Sequence, residues 1–346
     1  MNILSFIHDH TSSAGRYQAY GTANNLCATS TIKDKAKLET LNEEALQWFA
    51  RTISTYLSTA ESSSDGDSNG NGTSSNGNAH VNVNDDSSVI IVHGAGSFGH
   101  HSAKEYGLRG RDCPPPNNIT PFTKMEQRKL ITGLAKTRHS VKKLNSAVVS
   151  HLIDEGINAV GISPCMNIPG LMAHGGNEQG GVTILAQAIQ EALMAGLVPV
   201  IHGDAGLYGN NFETGMMAAG ILGGDTLVEI IATHELLRDY ITRTVFLTDV
   251  EGVYTKDPKS DSDATLIRLV EIDPTTGKVM TDLSASGSSH EHDVTGGLAT
   301  KLGAAANVAK TGIEVIIAKC CSLSAEQAIN GKTMDEGTVI KRVERK

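Results

Sequence analysis

Residues 89–108 constrain the fold of this chain more than any other stretch. Val89–Val92 is a run of β-branched residues that predicts a short buried strand, and HGAGSFGH follows at 93–100, before a predicted helix. Glycines at a strand-to-helix turn let backbone N–H groups approach a ligand, and a helix N-terminus favours an anion. The stretch therefore predicts a phosphate-binding turn, with His100 as a further donor at the start of the helix.

The same turn also matches a dinucleotide-binding pattern, because Gly94, Gly96 and Gly99 have GxGxxG spacing. That hypothesis needs a second strand ending in an acidic residue roughly 20 residues on. The segment found there, CPPPNN at 113–118, is incompatible with a strand. A glycine turn without a ligand is the other alternative, but packing alone does not explain the two flanking histidines, His93 and His100. Phosphate binding without a dinucleotide is therefore favoured.

Composition narrows the class of protein. The chain has 346 residues and a net charge of -9, and no stripe of Lys and Arg, so a general nucleic-acid binder is excluded. No apolar run approaches the ~18 residues of a membrane span. The five cysteines have no metal-type spacing and indicate free thiols in a reducing compartment, hence a cytoplasmic protein. Cys320 and Cys321 are expected to be packing residues.

The order of predicted elements indicates an α/β fold. Residues 1–30 are expected to be irregular, and residues 58–88 to be a low-complexity insertion. Short apolar strands alternate with helices, which is typical of a mostly parallel sheet with helices on both faces. The helices are predicted at 38–57, 124–156, 182–195 and 223–237, and the strands at 89–92, 158–162, 198–201, 244–247, 313–318 and 337–342. The basic residues of the second helix, Arg138 among them, are assigned to a solvated face, and Thr40 with Glu43 to a capping box for the first helix.

Ligands of such sheets bind beyond the carboxyl ends of the strands, and two groups of residues are expected there. Glycines at 94–99, 203 and 223–224 form the first group, which suits a phosphate. The second group, within 248–258 and 293–301, suits a nucleotide. Two phosphate sites facing each other predict phosphoryl transfer. The chain has no P-loop and no protein-kinase motifs, so another kinase architecture is required.

Three segments identify that architecture. HGAGSFGH at 93–100, FLTDVEGVYTKDPK at 246–259 and DVTGGLATK at 293–301 resemble isopentenyl phosphate kinases of the amino acid kinase superfamily. The resemblance covers roughly 28–342. It implies a three-layer αβα sandwich with a mainly parallel open sheet. It also implies a homodimer that uses ATP and Mg²⁺ to convert isopentenyl monophosphate, an isoprenoid monophosphate, to the diphosphate.

The resemblance also divides the chain. An irregular segment, 1–27, would precede a kinase domain at 28–346. Within that domain an acceptor-binding half would span about 28–205, and a nucleotide-binding half about 206–346.

Site residues carry over position by position. His100 would hold the acceptor's phosphate, with backbone groups of Ala95, Gly96 and Gly203 lining the same anion. Lys35 would act in catalysis, and Asp225 would orient the lysines, although capping of a helix is the alternative role for Asp225. The residues expected to border ATP are Ser30, Gly96, Asp249, Tyr254, Gly297 and Lys301. Ile162, Met166 and Ile168 are candidate walls for the isoprenoid tail, and no protein metal-ligand set is expected.

The front of the chain departs from the family pattern, Lys-x-Gly-Gly-Ser-x-x-Thr-x-Lys. Aligned on Lys35, the pattern puts Leu26 at the first lysine and Ala28-Thr29 at the two glycines. A mistaken or alternative first exon is favoured over two alternatives, which are substitution by another lysine, such as Lys33, and a weak or inactive homologue. The functional alternatives are a kinase of the superfamily acting on a carboxylate or phosphonate, and a catalytically silent nucleotide- or prenyl-phosphate-binding protein.

Overall fold

A computed structural model describes residues 17–22, 39–64, 88–110, 123–165, 178–211, 216–238, 241–281 and 296–344. The helices are α1 (Glu43–Ser64), α2 (Gly96–Tyr106), α3 (Lys124–Asp154), α4 (Glu178–Met194), α5 (Gly224–Thr233), α6 (Gly296–Lys310) and α7 (Leu323–Ile329). The strands are β1 (Tyr17–Thr22), β2 (Ser88–His93), β3 (Arg109–Gly110), β4 (Ala159–Ile162), β5 (Val198–His202), β6 (Asp204–Asn211), β7 (Met216–Leu222), β8 (Ile241–Thr248), β9 (Val253–Tyr254), β10 (Leu266–Ile267), β11 (Leu269–Ile272), β12 (Glu314–Lys319) and β13 (Thr338–Arg342).

An eight-stranded sheet forms the centre of the molecule, in the order β11-β13-β12-β8-β1-β2-β5-β4. Neighbouring strands are parallel except for β12 and β13. Thr22 is in register with His93 on one side and with Leu247 on the other, and His93 is in register with His202. The carboxyl ends of β1, β2, β5 and β8 therefore meet at one edge, where ligands of parallel sheets bind.

Helices cover both faces of this sheet, as the alternation of buried side chains shows. Ile90 and Val92 pack with residues of α4, α5 and α6. Val89 and Ile91 pack with residues of α1, α3 and α7. Successive strand residues point to opposite faces, so each strand serves two cores. The predicted three-layer α/β sandwich is confirmed.

A hairpin that the sequence did not predict lies beyond the carboxyl end of β5. Its strands, β6 and β7, are antiparallel, and Asp204 at its start pairs with Leu222 at its end. The hairpin therefore leaves and returns at the same point of the main sheet. This return brings residue 203 next to residues 223 and 224.

The prediction that residues 1–30 are irregular is wrong for Tyr17–Thr22. These residues form β1, which lies between β2 and β8 inside the main sheet. The segment YQAYGT has neither strict alternation nor a continuous apolar run, so periodicity does not identify it. Its strand structure follows from pairing with neighbours on both sides.

Two local predictions need correction. Asn42, and not Thr40, caps α1: its Oδ1 accepts a hydrogen bond of 3.1 Å from the amide of Ala45. The same helix runs on to Ser64, into the predicted low-complexity insertion, whose residues 65–87 lie outside the described residues. After β11 the chain folds back in a short antiparallel turn, in which the Asp273 amide donates to the carbonyl oxygen of Lys278 at 2.8 Å and the Met280 amide to that of Glu271 at 2.7 Å.

The helices in the described part of the chain include none with the length and apolar character needed to cross a membrane.

Candidate active site

Three glycine-bearing turns converge at the carboxyl ends of β2 and β5. The amide of Gly203 donates a hydrogen bond of 2.7 Å to the carbonyl oxygen of His93. A Cβ on residue 203 would lie 3.4 Å from the Ala95 nitrogen and 3.5 Å from the Gly224 nitrogen. A Cβ on residue 224 would lie 3.2 Å from the nitrogen of Gly94. We call Gly94, Ala95, Gly203 and Gly224 the glycine cradle, and their convergence is what the sequence predicted.

The N-terminus of α2 opens beside the cradle. Gly96 begins the helix with φ +50°, a left-handed conformation that favours glycine. Ala95 occupies the cap position and makes no side-chain capping bond. Its carbonyl oxygen accepts from the Phe98 amide at 3.1 Å, which leaves the amides of Gly96 and Ser97 for a ligand. A helix start of this kind attracts anions through these N–H groups and the helix dipole.

Two buried histidines lie beneath the cradle. The Nδ1 atoms of His93 and His202 lie 2.9 and 3.0 Å from the carbonyl oxygens of Gly94 and Gly203, respectively. The two rings stack with their centroids 6.0 Å apart. Burial lowers the pKa of each histidine to about 4, so both rings are neutral near pH 7.

An ion pair fixes the start of the β6–β7 hairpin. The guanidinium of Arg138 on α3 lies 3.2 Å from a carboxylate oxygen of Asp204, and both side chains are buried. The other carboxylate oxygen accepts a 2.8 Å bond from the Ala205 amide. Burial raises the pKa of Asp204 to about 6, although Arg138 opposes that shift. The assignment of Arg138 to a solvated face is therefore wrong.

A second ion pair connects the start of α5, next to the glycine cradle, with α6. Gly223, and not Asp225, is the N-cap of α5, and Asp225 instead contacts Nζ of Lys301 on α6 at 3.0 Å. Lys301 is buried, and burial lowers its pKa while Asp225 opposes the shift. Helix capping, the alternative role for Asp225, is thus excluded. The same helix start supplies Gly224 to the cradle and Asp225 to the lysine.

Charged side chains also surround the carboxyl end of β8. Lys259 forms an ion pair with Asp249. Burial raises the pKa of Asp249, but Lys259, together with hydrogen bonds from the Asp249 backbone and Thr248, outweighs burial and lowers the pKa. Lys319 contacts Glu251 at 2.8 Å. Tyr254 follows in β9, and burial, followed by the charge of Glu251, raises its pKa. This side of the site therefore presents a tyrosine together with paired acidic and basic groups.

Comparison with known proteins places this geometry in a family. The sequence model of the amino acid kinase family matches residues 78–319. An isopentenyl phosphate kinase of Arabidopsis thaliana is 32% identical over 269 residues, which are 74% of this chain and 73% of that protein. The chain belongs to the isopentenyl phosphate kinases of the amino acid kinase family. The isopentenyl phosphate kinase of Methanothermobacter thermautotrophicus is 33% identical over 229 residues, 66% of this chain and 74% of that protein.

Solved structures agree with the family assignment. An isopentenyl phosphate kinase structure superposes with a TM-score of 0.63 at 25% identity, covering 94% of this chain and 99% of the other. The product complex of the Thermoplasma acidophilum isopentenyl phosphate kinase superposes with a TM-score of 0.58 at 21% identity, which supports the fold. The protein is therefore a kinase with the amino acid kinase fold.

The structure brings together some, but not all, of the residues that the family resemblance implied. Ala95, Gly96 and Gly203 meet at the cradle, and Asp225 meets Lys301. His100 lies on α2, one turn beyond Gly96, with an exposed side chain. Partial burial, and then the charge of His101, lowers the pKa of His100. Gly297 lies in the first turn of α6.

Other implied residues fall outside the description. Ser30, Lys35, Met166 and Ile168 lie outside the described residues, as do Leu26 and the Ala28-Thr29 pair. The segment that holds Ser30 and Lys35 is nevertheless flanked by residues of the site. Thr22 precedes it, in register with His93, and the Thr40 amide that follows donates a 3.3 Å bond to Oγ of Ser97.

Sequence reasoning missed the buried residues that support the cradle, of which Arg138 and Asn145 come from α3. A signal for both was present in the sequence. Leu134, Arg138, Val141 and Asn145 recur at helical spacing on one stripe, so the apolar members predicted burial of the polar ones. Ser163, which contacts the His202 ring at 3.0 Å, follows β4 and had no such signal.

Proposed function

We propose that this kinase transfers the γ-phosphoryl group of ATP to isopentenyl monophosphate, giving ADP and isopentenyl diphosphate. The observation that carries the proposal is the start of α5, where Gly224 belongs to the cradle and the adjacent Asp225 holds the buried Lys301 at 3.0 Å. An anion-binding cradle and a buried cation thus meet at one helix start. The names of the relatives support isopentenyl phosphate as the acceptor.

The acceptor's phosphate would lie on the cradle. The backbone amides of Ala95 and Gly96, and the opening left by Gly203, suit a phosphate without adding charge. His100 on the exposed side of α2 would contact the same phosphate and stabilise it as the second phosphoryl group arrives. The described residues give the His100 ring no hydrogen-bond partner, so its ring nitrogens are available to a ligand there.

ATP would lie on the β8 side, bordered by Asp249, Tyr254, Gly297 and Lys301. Phosphoryl transfer depends mainly on positioning and on neutralisation of charge, and a lysine held by Asp225 suits that task. Among the described residues no three His, Cys, Asp or Glu side chains form a metal-binding group. We place Mg²⁺ on the phosphates of ATP, where it would neutralise part of their charge.

Ser30 and Lys35 complete the proposed site. Thr40, which follows this segment in the chain, contacts Ser97 at the start of α2. Leu26 stands where the family pattern has a lysine. Loss of one group that stabilises a developing charge costs on the order of 10²–10³ in rate, so this position decides whether the chain is a full enzyme.

The decisive experiment incubates the purified chain with ATP, Mg²⁺ and isopentenyl phosphate and measures the diphosphate product. Formation of the diphosphate supports the proposal. Retained ATP binding without product would favour the silent nucleotide-binding alternative. Recovery of activity in a triple variant, Leu26→Lys with Ala28→Gly and Thr29→Gly, would place the defect in the first turn. Carboxylate and phosphonate acceptors in parallel reactions test the other kinase alternatives.

A pair of neighbouring variants tests the assigned role of His100. His100→Ala should abolish turnover because the acceptor's phosphate loses its side-chain donor. His101→Ala, one residue along the same helix, is the matched control and should retain turnover. Unchanged kinetics of His100→Ala would refute the role.

We also propose a cytoplasmic homodimer. The cysteine usage supports a reducing compartment, and the family resemblance supports the dimer. Sedimentation of the purified chain measures the dimer directly, and a monomeric species at micromolar concentration would contradict it.

A further inference from the structure

Two neighbouring strands of the main sheet, β2 and β5, end in the same His-Gly dipeptide. The proposed phosphoryl transfer assigns no role to either histidine. His93-Gly94 ends β2 and His202-Gly203 ends β5, with the two histidines in register. Each histidine is 1% exposed, and each Nδ1 faces the carbonyl of the glycine that follows. The same contact, between a histidine ring and the carbonyl of the next glycine, therefore occurs on both sides of the glycine cradle.

The hydrogen bonds define which ring nitrogen carries the hydrogen. A carbonyl oxygen only accepts, so Nδ1 must be the donor in both rings. A neutral imidazole has a single N–H group, which makes Nε2 an acceptor. For His202 the hydroxyl of Ser163, 3.0 Å away, is a suitable donor. For His93 the atom that lies 2.9 Å from Nε2 is Oδ1 of Asn145, an acceptor. A half-turn of the Asn145 side-chain amide exchanges Oδ1 for the NH₂ group, which then donates to Nε2.

The contact also determines the direction of the neighbouring amide. In a trans peptide the C=O and N–H groups point in opposite directions. When His93 holds the carbonyl of Gly94 inward, the N–H of Ala95 in the same peptide points away from the ring. The Ala95 nitrogen lies 3.4 Å from the site of the missing Gly203 side chain, at the opening of the cradle. Without this bond a glycine peptide is free to rotate, because glycine lacks the usual steric limits.

We propose that His93 and His202 are positioning residues, each donating from Nδ1 to the following glycine carbonyl, so that His93 holds the Ala95 amide toward the acceptor's phosphate and His202 fixes the backbone of Gly203 opposite it. His93 orients the Gly94–Ala95 peptide. His202 holds Gly203, whose own amide is tied to the carbonyl of His93 at 2.7 Å. The pair thus organises hydrogen-bond donors before the substrate arrives, which is how a preorganised site gains its strength. This inference rests on the proposed function, because it takes the cradle as the phosphate site.

Isosteric variants test the inference. The amide nitrogen of Asn occupies the place of Nδ1, whereas that of Gln reaches the place of Nε2. His93→Asn should therefore keep the KM for isopentenyl phosphate within about threefold of the natural chain, and His93→Gln should raise it at least tenfold. The same pair at His202 should behave in the same way, and the KM for ATP should stay unchanged in all four variants. Equal effects of Asn and Gln at both positions would overturn the inference in favour of a packing role.

A second measurement uses the unmutated chain, so its result does not depend on whether a variant folds. Nitrogen NMR of the chain labelled with ¹⁵N-histidine distinguishes Nδ1–H from Nε2–H rings, and it should show two Nδ1–H rings that persist from pH 6 to 8. Nε2–H tautomers for both buried rings would refute the proposal. If the natural chain makes no diphosphate while the two tautomers are found and inorganic phosphate binds by calorimetry, the proposed function fails and the positioning role stands. If the chain is active but the tautomers are absent, the positioning role alone fails.

Discussion

Residue 203 has no side chain, and the space that a methyl group would fill there lies 3.4 Å from the Ala95 nitrogen and 3.5 Å from the Gly224 nitrogen. These separations are ordinary van der Waals contacts, so the fold can accept a methyl group at this position. The same methyl group would cover both amides. At this residue, therefore, binding and stability respond differently to one substitution.

Gly203→Ala should weaken acceptor binding without unfolding the protein. Hydrogen bonds to a charged group contribute about 1.5–3 kcal/mol, so loss of one predicts a rise of roughly 10–100-fold in the KM for isopentenyl phosphate. The KM for ATP and the melting temperature should change little. Gly303→Ala on α6 is the control, since nothing lies within 4 Å of a Cβ at that position. An unchanged acceptor KM in Gly203→Ala would show that the phosphate lies elsewhere.

Single helices and strands of this protein serve both the core and the site. Leu134 and Val141 of α3 pack into apolar cores, while Arg138 on the same stripe reaches Asp204 at the start of β6. The strand β1 pairs with β2 and β8 and ends level with His93. A mutation that destabilises α3 or β1 should therefore also disturb the glycine cradle.

Arg138→Met should destabilise the protein strongly. Removing one partner of a buried ion pair leaves the other charge uncompensated, which typically costs about 3–5 kcal/mol. Urea unfolding measures the loss. Lys129→Met, on the exposed face of α3, is the matched control and should change stability by less than about 0.5 kcal/mol. The double variant Arg138→Met/Asp204→Asn should recover a large part of the loss, and equal instability of the single and double variants would contradict the role of the ion pair.

Truncation tests whether the first 27 residues are needed for folding. A domain that starts at residue 28 would fold without them, whereas the structure predicts that a chain starting there loses β1 and fails to fold cooperatively. A chain that starts at Tyr17 keeps the strand and is the control. Circular dichroism melting of the two truncated chains provides the measurement. A cooperative transition for the chain starting at residue 28 would show that β1 is dispensable.

At the scale of the whole molecule, buried titratable groups make stability depend on pH. The folded state holds His93 and His202 with pKa values of about 4, below the ordinary value of 6.5. Their contribution is present above pH 6.5 and is lost as the pH falls toward 4. Asp204 acts in the opposite direction, because its pKa of about 6 lies above the ordinary 3.8, so its contribution is present at low pH and is lost as the pH rises through 6.

The free energy of unfolding should therefore decrease on acidification. Between about pH 6 and pH 4 the unfolded chain binds two more protons at the histidines and one fewer at Asp204, a net slope of about 1.4 kcal/mol per pH unit. Denaturant unfolding at several pH values measures this slope. His202→Asn removes one titrating ring and should lower the slope by about 1.4 kcal/mol per pH unit over the same range. A natural chain whose stability is constant from pH 6 to pH 4 would contradict the pKa values of the buried groups.

Much of the fold could be predicted because hydrophobic periodicity is a local property. Val89–Val92 and the helix from Lys124 show it clearly, and both were found with nearly the observed bounds. The strand β1 and the β6–β7 hairpin were missed because partners distant in the sequence stabilise them. The start of α1 was misassigned because Thr40 and Asn42 are both suitable caps, and only the structure shows that Oδ1 of Asn42 accepts from the Ala45 amide.

The sequence by itself determined the α/β class, the kinase family and the glycines of the glycine cradle, since these depend on short motifs and local backbone freedom. Only the tertiary structure decided which polar groups are buried together. Asp225 proved to hold Lys301, and Arg138 to hold Asp204, although each pair is far apart in the chain. Such pairs form because burial of one charge requires a partner nearby, and the fold alone sets which residues are neighbours.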